Sequence, residues 1–346
     1  MRLQIFPILF LLLFVSGCNA NSDLSKYEII YNGEKNKKQE QPVQNNPNYT
    51  IAIVPKVTGI PYFNAVEEGA IEAGNDLDVE VLYSGSLIAD WEQQETVING
   101  YIEQGVDLIA VSANDPEKLG SVLSKAKQQG IRVITWDSDT NEQYREMFIN
   151  IVDPEVLGRH IMDTLSSRVN EQGSYAIITG ASDAANLNEW IEWMKRHQKE
   201  NYPNMKLVEI VESNDDPKQA YKAARALLNK YPDLKGIIGS SSVGPPAASQ
   251  AVRDVNKAGE MTVVGLSTPN LMREYIKNGS AQVVTLWSPK KLGYLTVSVA
   301  KEILDGQEIQ DNQYISNIGN IRVKEDTVIM GQPIDFTKEN IDQYDF

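Results

Sequence analysis

Thr50-Ile-Ala-Ile-Val-Pro-Lys56 sets the plan of the chain. Ile51 to Val54 is a short unbroken apolar run, the pattern of a strand buried on both faces, and it stops at a proline and a lysine. The residues beyond it place Phe63, Val66, Ala70, Ala73 and Leu77 at helical spacing. A buried strand followed directly by an amphipathic helix is half of a βαβ unit.

Working outward toward the C-terminus, the alternation repeats. Val79 to Tyr83 reads as a strand, and Val97, Ile98, Tyr101 and Ile102 mark a helix. Val106 to Val111 is a strand interrupted only by Asp107, and Leu119, Val122, Leu123 and Ala126 form a helical face closed by Gly130. Ile131 to Trp136 is the next strand. A second series then begins. Its strands are Tyr175–Ile178, Leu207–Val211, Gly236–Ile238, Thr262–Val264 and Gln282–Leu286. Its helices are Trp190–Lys199, Gln219–Leu228, Ala247–Val255, Leu271–Lys277 and Leu292–Leu304. Two such series predict an α/β fold of two doubly wound parallel-sheet lobes, with ligands bound where strand ends meet helix starts. Two lobes facing each other leave a cleft.

Toward the N-terminus the texture differs. Asn19 to Asn48 is rich in Lys, Gln and Asn, with only Tyr27-Glu-Ile-Ile-Tyr31 to interrupt it. Such a segment buries too little apolar surface to fold alone, and is expected to be a tether. Before it, Arg2 precedes the apolar run Ile5 to Val15, which ends in Ser16-Gly17-Cys18. That run is short for a membrane span and is read as an export signal over residues 1–17. Ser-Gly-Cys looks like a bacterial lipobox. Cys18 is therefore expected to carry lipid and to anchor the chain to the bilayer through the tether at 18–48. It is the one cysteine in the sequence, so no internal disulfide is possible. With 47 acidic against 32 basic residues the net charge is -15, which argues against nucleic acid as a partner.

The kits of common enzymes are missing. His160 and His197 both fall in helical segments without metal-ligand spacing. No phosphate loop, Gly-x-Gly-x-x-Gly or Gly-x-Ser-x-Gly motif occurs. The reading is a binding protein without catalytic residue, metal or cofactor. Its strand ends carry polar and aromatic groups instead. Lys56 follows the first strand, and Tyr62 and Phe63 open the helix after it. Asn114-Asp115-Pro116 and Trp136-Asp137 end two further strands. The second series adds Asn186 and Asn188, then Ser240-Ser241-Ser242, then Trp287. Asp and Asn suit neighbouring sugar hydroxyls, and aromatic rings suit the C–H face of a sugar ring. Other roles stay open for some of these. Asn114 and Asp115 can cap the following helix, Lys56 can pair with an acid, and Phe63 and Trp287 can serve the core.

With these residues in hand, the chain from about Thr50 onward resembles the type I periplasmic binding proteins, which include ribose, rhamnose and autoinducer-2 binders. The likeness rests on Val111-Ser-Ala-Asn-Asp-Pro116, Thr135-Trp-Asp-Ser138, Asn188-Glu-Trp-Ile-Glu-Trp-Met194, Tyr231-Pro-Asp-Leu-Lys-Gly-Ile-Ile238, Ser267-Thr-Pro-Asn270, Leu286-Trp287, Leu292-Gly-Tyr-Leu295 and Asn340-Ile-Asp-Gln-Tyr-Asp-Phe346. It is nearest to the rhamnose-binding members. The resemblance implies lobes joined by three crossovers, placed near Ile151, Val284 and Tyr314. The first lobe would span 49–151 plus 285–314, and the second 152–284 plus 315–346. It also implies hinge closure around a ligand. Lys56 and Asp137 match ligand contacts of autoinducer-2 binders. Asn186-Leu187 and Ser240-Ser241-Ser242 depart from the Asp-Gln pair and Pro-x-Ala segment of those proteins. Asp115, Asn186, Ser241 and Trp287 fall where ribose-type proteins touch sugar. The implied ligand is a pentose or 6-deoxyhexose such as xylose, ribose or rhamnose, with autoinducer-2 as an alternative. The implied partner is an ABC permease, or a membrane histidine kinase if the protein is a sugar sensor, as some xylose binders are.

Overall fold

The structure is a computed structural model and describes residues 49–346; the signal at 1–17, Cys18 and the tether at 18–48 lie outside the described residues. Strands β1 (Thr50–Val54), β2 (Glu80–Tyr83), β3 (Leu108–Val111), β4 (Arg132–Trp136) and β5 (Phe148–Asn150) run parallel in one sheet. Between the first four of these strands lie α1 (Pro61–Leu77), α2 (Trp91–Gln104) and α3 (Gly120–Gln128). The second sheet holds β6 (Gly173–Thr179), β7 (Met205–Glu212), β8 (Leu234–Gly239) and β9 (Thr262–Gly265), again parallel. It is covered by α4 (Pro154–Arg168), α5 (Ala185–Asn201), α6 (Pro217–Lys230), α7 (Gly244–Asp254) and α8 (Pro269–Lys277). Neighbours run β2-β1-β3-β4-β5 in the first sheet and β7-β6-β8-β9 in the second. Both orders reverse direction once, beside β1/β3 and β6/β8, and such switch points open a crevice at the carboxyl ends of the strands.

The strands alternate faces, and the core divides accordingly. Ile51, Ile53, Leu108, Ala110, Ile134 and Trp136 pack on one side of the first sheet. Ala52, Val54, Ile109, Val111 and Val133 pack on the other, against Ile98 and Ile102 of α2, Leu123 of α3 and Leu119 just before it. After the second sheet come β10 (Val284–Leu286) and α9 (Pro289–Leu304), which returns to pack on α1 of the first lobe. This crossing needs two glycines: a Cβ at Gly69 would overlap the Lys290 backbone, and one at Gly293 would overlap the Val66 backbone.

Five short strands follow: β11 (Tyr314–Ile315), β12 (Gly319–Asn320), β13 (Arg322–Lys324), β14 (Thr327–Ile329) and β15 (Ile334–Phe336). Here one expected boundary is corrected. Residues 322–329 do not join the second lobe; β14 pairs in parallel with β5 and extends the first sheet to seven strands. Buried Arg145 reinforces the attachment by pairing with Asp139 at 2.8 Å and with Asp326 in the β13–β14 turn. The chain leaves that sheet only at β15, which pairs antiparallel with β10. The last residues then pack on α8, where Asn270 N donates to Phe346 O at 3.1 Å and Arg273 donates to Tyr344 O at 2.5 Å.

Candidate functional site

The first lobe builds its wall from the carboxyl ends of β1 and β4. Gln94, wholly buried on α2, fixes this edge: its Nε2 donates to Pro55 O at 3.0 Å and Ser112 O at 2.8 Å, and its Oε1 accepts from Asn114 N at 2.9 Å. The Asn114 amide in turn donates to Lys56 O at 2.9 Å. Lys56 and Asp137 are both buried, with Nζ and Oδ2 3.5 Å apart. The Asp137 carboxylate also accepts from Tyr62 OH at 2.9 Å and Ser112 Oγ at 3.0 Å.

Asp137 holds its place by a strained turn. Its φ is 61°, and Ser138 N donates to Trp136 O across it at 2.6 Å, the three-residue bond of a γ-turn in its rare left-handed sense. Such a conformation costs on the order of 1–3 kcal/mol and persists where surrounding bonds over-determine it. Here Asp137 N donates to Ile149 O and Ser138 O accepts from Ala113 N.

The second lobe supplies Asn186 from the first turn of α5, Ser240, Ser241 and Ser242 after β8, and Asp215 from the β7–α6 loop. Asn186 reaches the first wall, accepting from Lys56 Nζ at 3.3 Å and donating to Asp137 Oδ2 at 3.4 Å. Trp287, just after β10, donates through Nε1 to Tyr62 OH at 3.0 Å. It lies edge-on to Tyr62 at 6.1 Å and to Trp190 of α5 at 5.9 Å. Phe63, Tyr62, Trp287 and Trp190 thus form one aromatic run from lobe to lobe. Burial and the neighbouring Asp137 carboxylate push the Tyr62 hydroxyl far above its ordinary range, so it stays a donor.

These groups line a small cavity of about 40 Å³ between the lobes. Lys56, Tyr62, Phe63, Asp137, Asn186, Ser241, Ser242 and Trp287, all singled out in the sequence, line it together. Two other expected residues stand outside. The Asp115 carboxylate turns to its own loop, accepting from Glu117 N at 2.8 Å and Lys118 N at 2.9 Å. Burial would raise that carboxyl, but these two N–H groups and the Lys118 ammonium hold it below the usual range. Asn188 is exposed and donates to Ser182 O at 2.6 Å, bracing the loop before α5. The sequence reading missed Asp215, Trp190, Ile60, Leu187, Leu266 and Leu286, which also line the pocket. Asp215 had a signal: in Asn214-Asp215-Asp216-Pro217 after a strand, one acid suffices for the helix cap, which leaves the other free.

A buried polar pocket at the switch points of two facing doubly wound lobes is the construction of a solute receptor that holds its ligand between domains. The chain belongs to the type I periplasmic binding proteins; the model of the periplasmic binding protein domain family matches residues 51–308. An ABC transporter solute-binding protein of Clostridium phytofermentas with bound L-rhamnose is 29% identical, covers 85% of this chain and 97% of its own, and superposes with a TM-score of 0.80. The LsrB protein of Clostridium saccharobutylicum in complex with AI-2 is 25% identical over 86% of this chain and 100% of its own, with a TM-score of 0.81. A D-ribose/D-allose-binding protein of Pseudomonas aeruginosa is 25% identical over 265 residues, 74% of this chain and 82% of its own. Among the described residues no helix is long and apolar enough to cross a membrane.

Proposed function

We propose that this protein is an extracytoplasmic lipoprotein, anchored through Cys18, that captures one monosaccharide between its lobes and delivers it to an ABC permease. The observation that carries this reading is the pocket itself. Asp137, Lys56 and Asn186 offer acceptors and donors suited to paired hydroxyls, and the Tyr62–Trp287–Trp190 run offers an apolar face for a sugar ring. The relative with bound rhamnose favours a 6-deoxyhexose and the ribose/allose-binding relative a pentose or a hexose; we infer a pentose or 6-deoxyhexose as the ligand class.

Closure follows from the same residues. The Asn186 bonds to Lys56 and Asp137 join opposite lobes, so these contacts exist only when the lobes meet. A ligand bridging them shifts the population toward the closed form.

A thermal-shift screen of the purified protein with xylose, ribose, arabinose, rhamnose, fucose, galactose, glucose and AI-2 tests the reading. A ligand at 100 times its Kd adds about 2.7 kcal/mol of stability. A clear upward shift with one sugar is expected. A well-folded sample that responds to none of the sugars overturns the proposal, and a response to AI-2 alone reassigns the ligand.

A further inference from the structure

One carboxylate in the pocket has no structural task. Asp215 is buried and lines the cavity, yet among the described residues no group donates a hydrogen bond within the protein to its side chain. It does not cap α6; the next residue, Asp216, does that by accepting from Gln219 N at 2.7 Å. Its loop is nevertheless held tightly. Asn214 and Asp215 both sit at positive φ, 50° and 54°, and Ser213 N and Asn214 N each donate to Gly180 O at 3.2 Å. Gly180 gives the carboxylate its room, because a Cβ there would lie 2.6 Å from Asp215 Oδ1.

The groups beside it are also unsatisfied. The hydroxyls of Thr179, Ser240 and Ser241 are buried without a hydrogen-bond partner. The Ser241 hydroxyl lies near enough to favour the Asp215 carboxylate electrostatically but outside hydrogen-bonding geometry. Buried polar groups left open cost roughly 1–3 kcal/mol each. Of these, Ser240 and Ser241 line the pocket beside Asp215, so they face the space a ligand would fill.

Resting on the sugar reading above, we propose that Asp215 is the second-lobe ligand contact, accepting a hydroxyl of an uncharged sugar, and that Asp137 and Asp215 together exclude sugar acids and sugar phosphates. The titratable groups around Asp215 are Lys56, Asp137 and Tyr62. One ammonium thus faces two carboxylates, a balance that repels an anion and suits a neutral polyol donating to both walls. Burial pushes the Asp215 carboxyl up, against the pull of Lys56. The acceptor is therefore lost as pH falls toward that raised value, and affinity falls with it.

The test is calorimetric titration of the full chain, wild type and Asp215→Asn, with each aldose of the panel and its aldonic acid, at neutral and mildly acidic pH. The expected result is no acid binding by the wild type, and a sugar affinity that weakens on acidification. Asp215→Asn should lose at least tenfold in affinity, lose the pH dependence, and unfold no earlier than the wild type without ligand. Equal affinity and an equal pH profile in the two proteins overturn the role of Asp215 while leaving a sugar receptor. Wild-type binding of an aldonic acid overturns the charge selection. Should Asp215→Asn not fold, the wild-type pH profile decides: an affinity that does not weaken on acidification overturns the assignment. A wild type that binds no sugar removes the reading and the assignment together.

Discussion

The two walls of the pocket are built differently. On the first, Lys56, Asp137, Tyr62 and Ser112 are bonded to one another, and Gln94 and Asn114 fix the backbone that carries them. On the second, the Ser240 and Ser241 hydroxyls line the pocket without a partner beside the buried Asp215 carboxylate. The first wall is the more densely bonded of the two, and the second reaches it chiefly through Asn186. Unpaired buried groups occur on both sides, Asn114 Oδ1 and Ser138 Oγ on the first and Ser240 and Ser241 on the second, so the difference lies in how densely the first wall is bonded.

Substitutions can break this asymmetry. The largest effect is expected for Asp137→Ala. It leaves the Lys56 ammonium buried without its partner, a loss of about 3–5 kcal/mol for a broken buried pair. Calorimetry should show binding abolished, and the melting temperature should fall with or without ligand. Gly180→Ala comes next. Its methyl group pushes on the Asp215 carboxylate and Leu187, so about 1–3 kcal/mol of overpacking is expected, expressed mainly as weaker binding. Trp287→Phe keeps the aromatic run but removes the donor to Tyr62 OH. About 1 kcal/mol should go from the unliganded protein, with a smaller change in affinity.

Ser241→Ala sharpens the comparison from the other side. Its hydroxyl has no partner in the unliganded protein, so the melting temperature should hold or rise while ligand affinity falls about fivefold, near 1 kcal/mol. A fall in unliganded stability matching the loss of affinity would show that the second wall is as prebuilt as the first.

The smallest effect lies at the crossovers. His160 Nε2 bonds Asp335 Oδ1 at 2.8 Å, and Asp335 on β15 also accepts from Thr285 on β10 at 2.6 Å. The Asp335 hydrogen bond raises the His160 pKa. Its stabilising share is full below the unfolded histidine value, about 6.5, and is lost as pH rises through the higher folded value. Both groups are about a third exposed, so solvent screening keeps the share to a few tenths of a kcal/mol. The melting-temperature gap between wild type and His160→Ala should be widest near pH 6 and close above about pH 8.

Periodicity alone gave away the two series of strands and helices, because burial repeats every second or every 3.6 residues and is written locally. The strand-end rule pointed to Lys56, Asp137, Ser241 and Trp287, which line the pocket, because a residue just past a buried strand has few places to go. What the sequence by itself left undecided was which of several similar acids faces the cleft. Asp115 and Asp215 both follow strands and both precede helices. Asp115 is consumed by two backbone N–H groups of its own turn, whereas Asp216 takes the cap at α6 and frees Asp215. The placement of 322–329 was equally out of reach, since three-residue strands carry little periodic signal and their partner β5 lies far away in the chain. Local pattern determined the lobes and most of the strand ends; long-range hydrogen bonds and the competition for caps, settled only in the folded molecule, decided which side chains were left for a ligand.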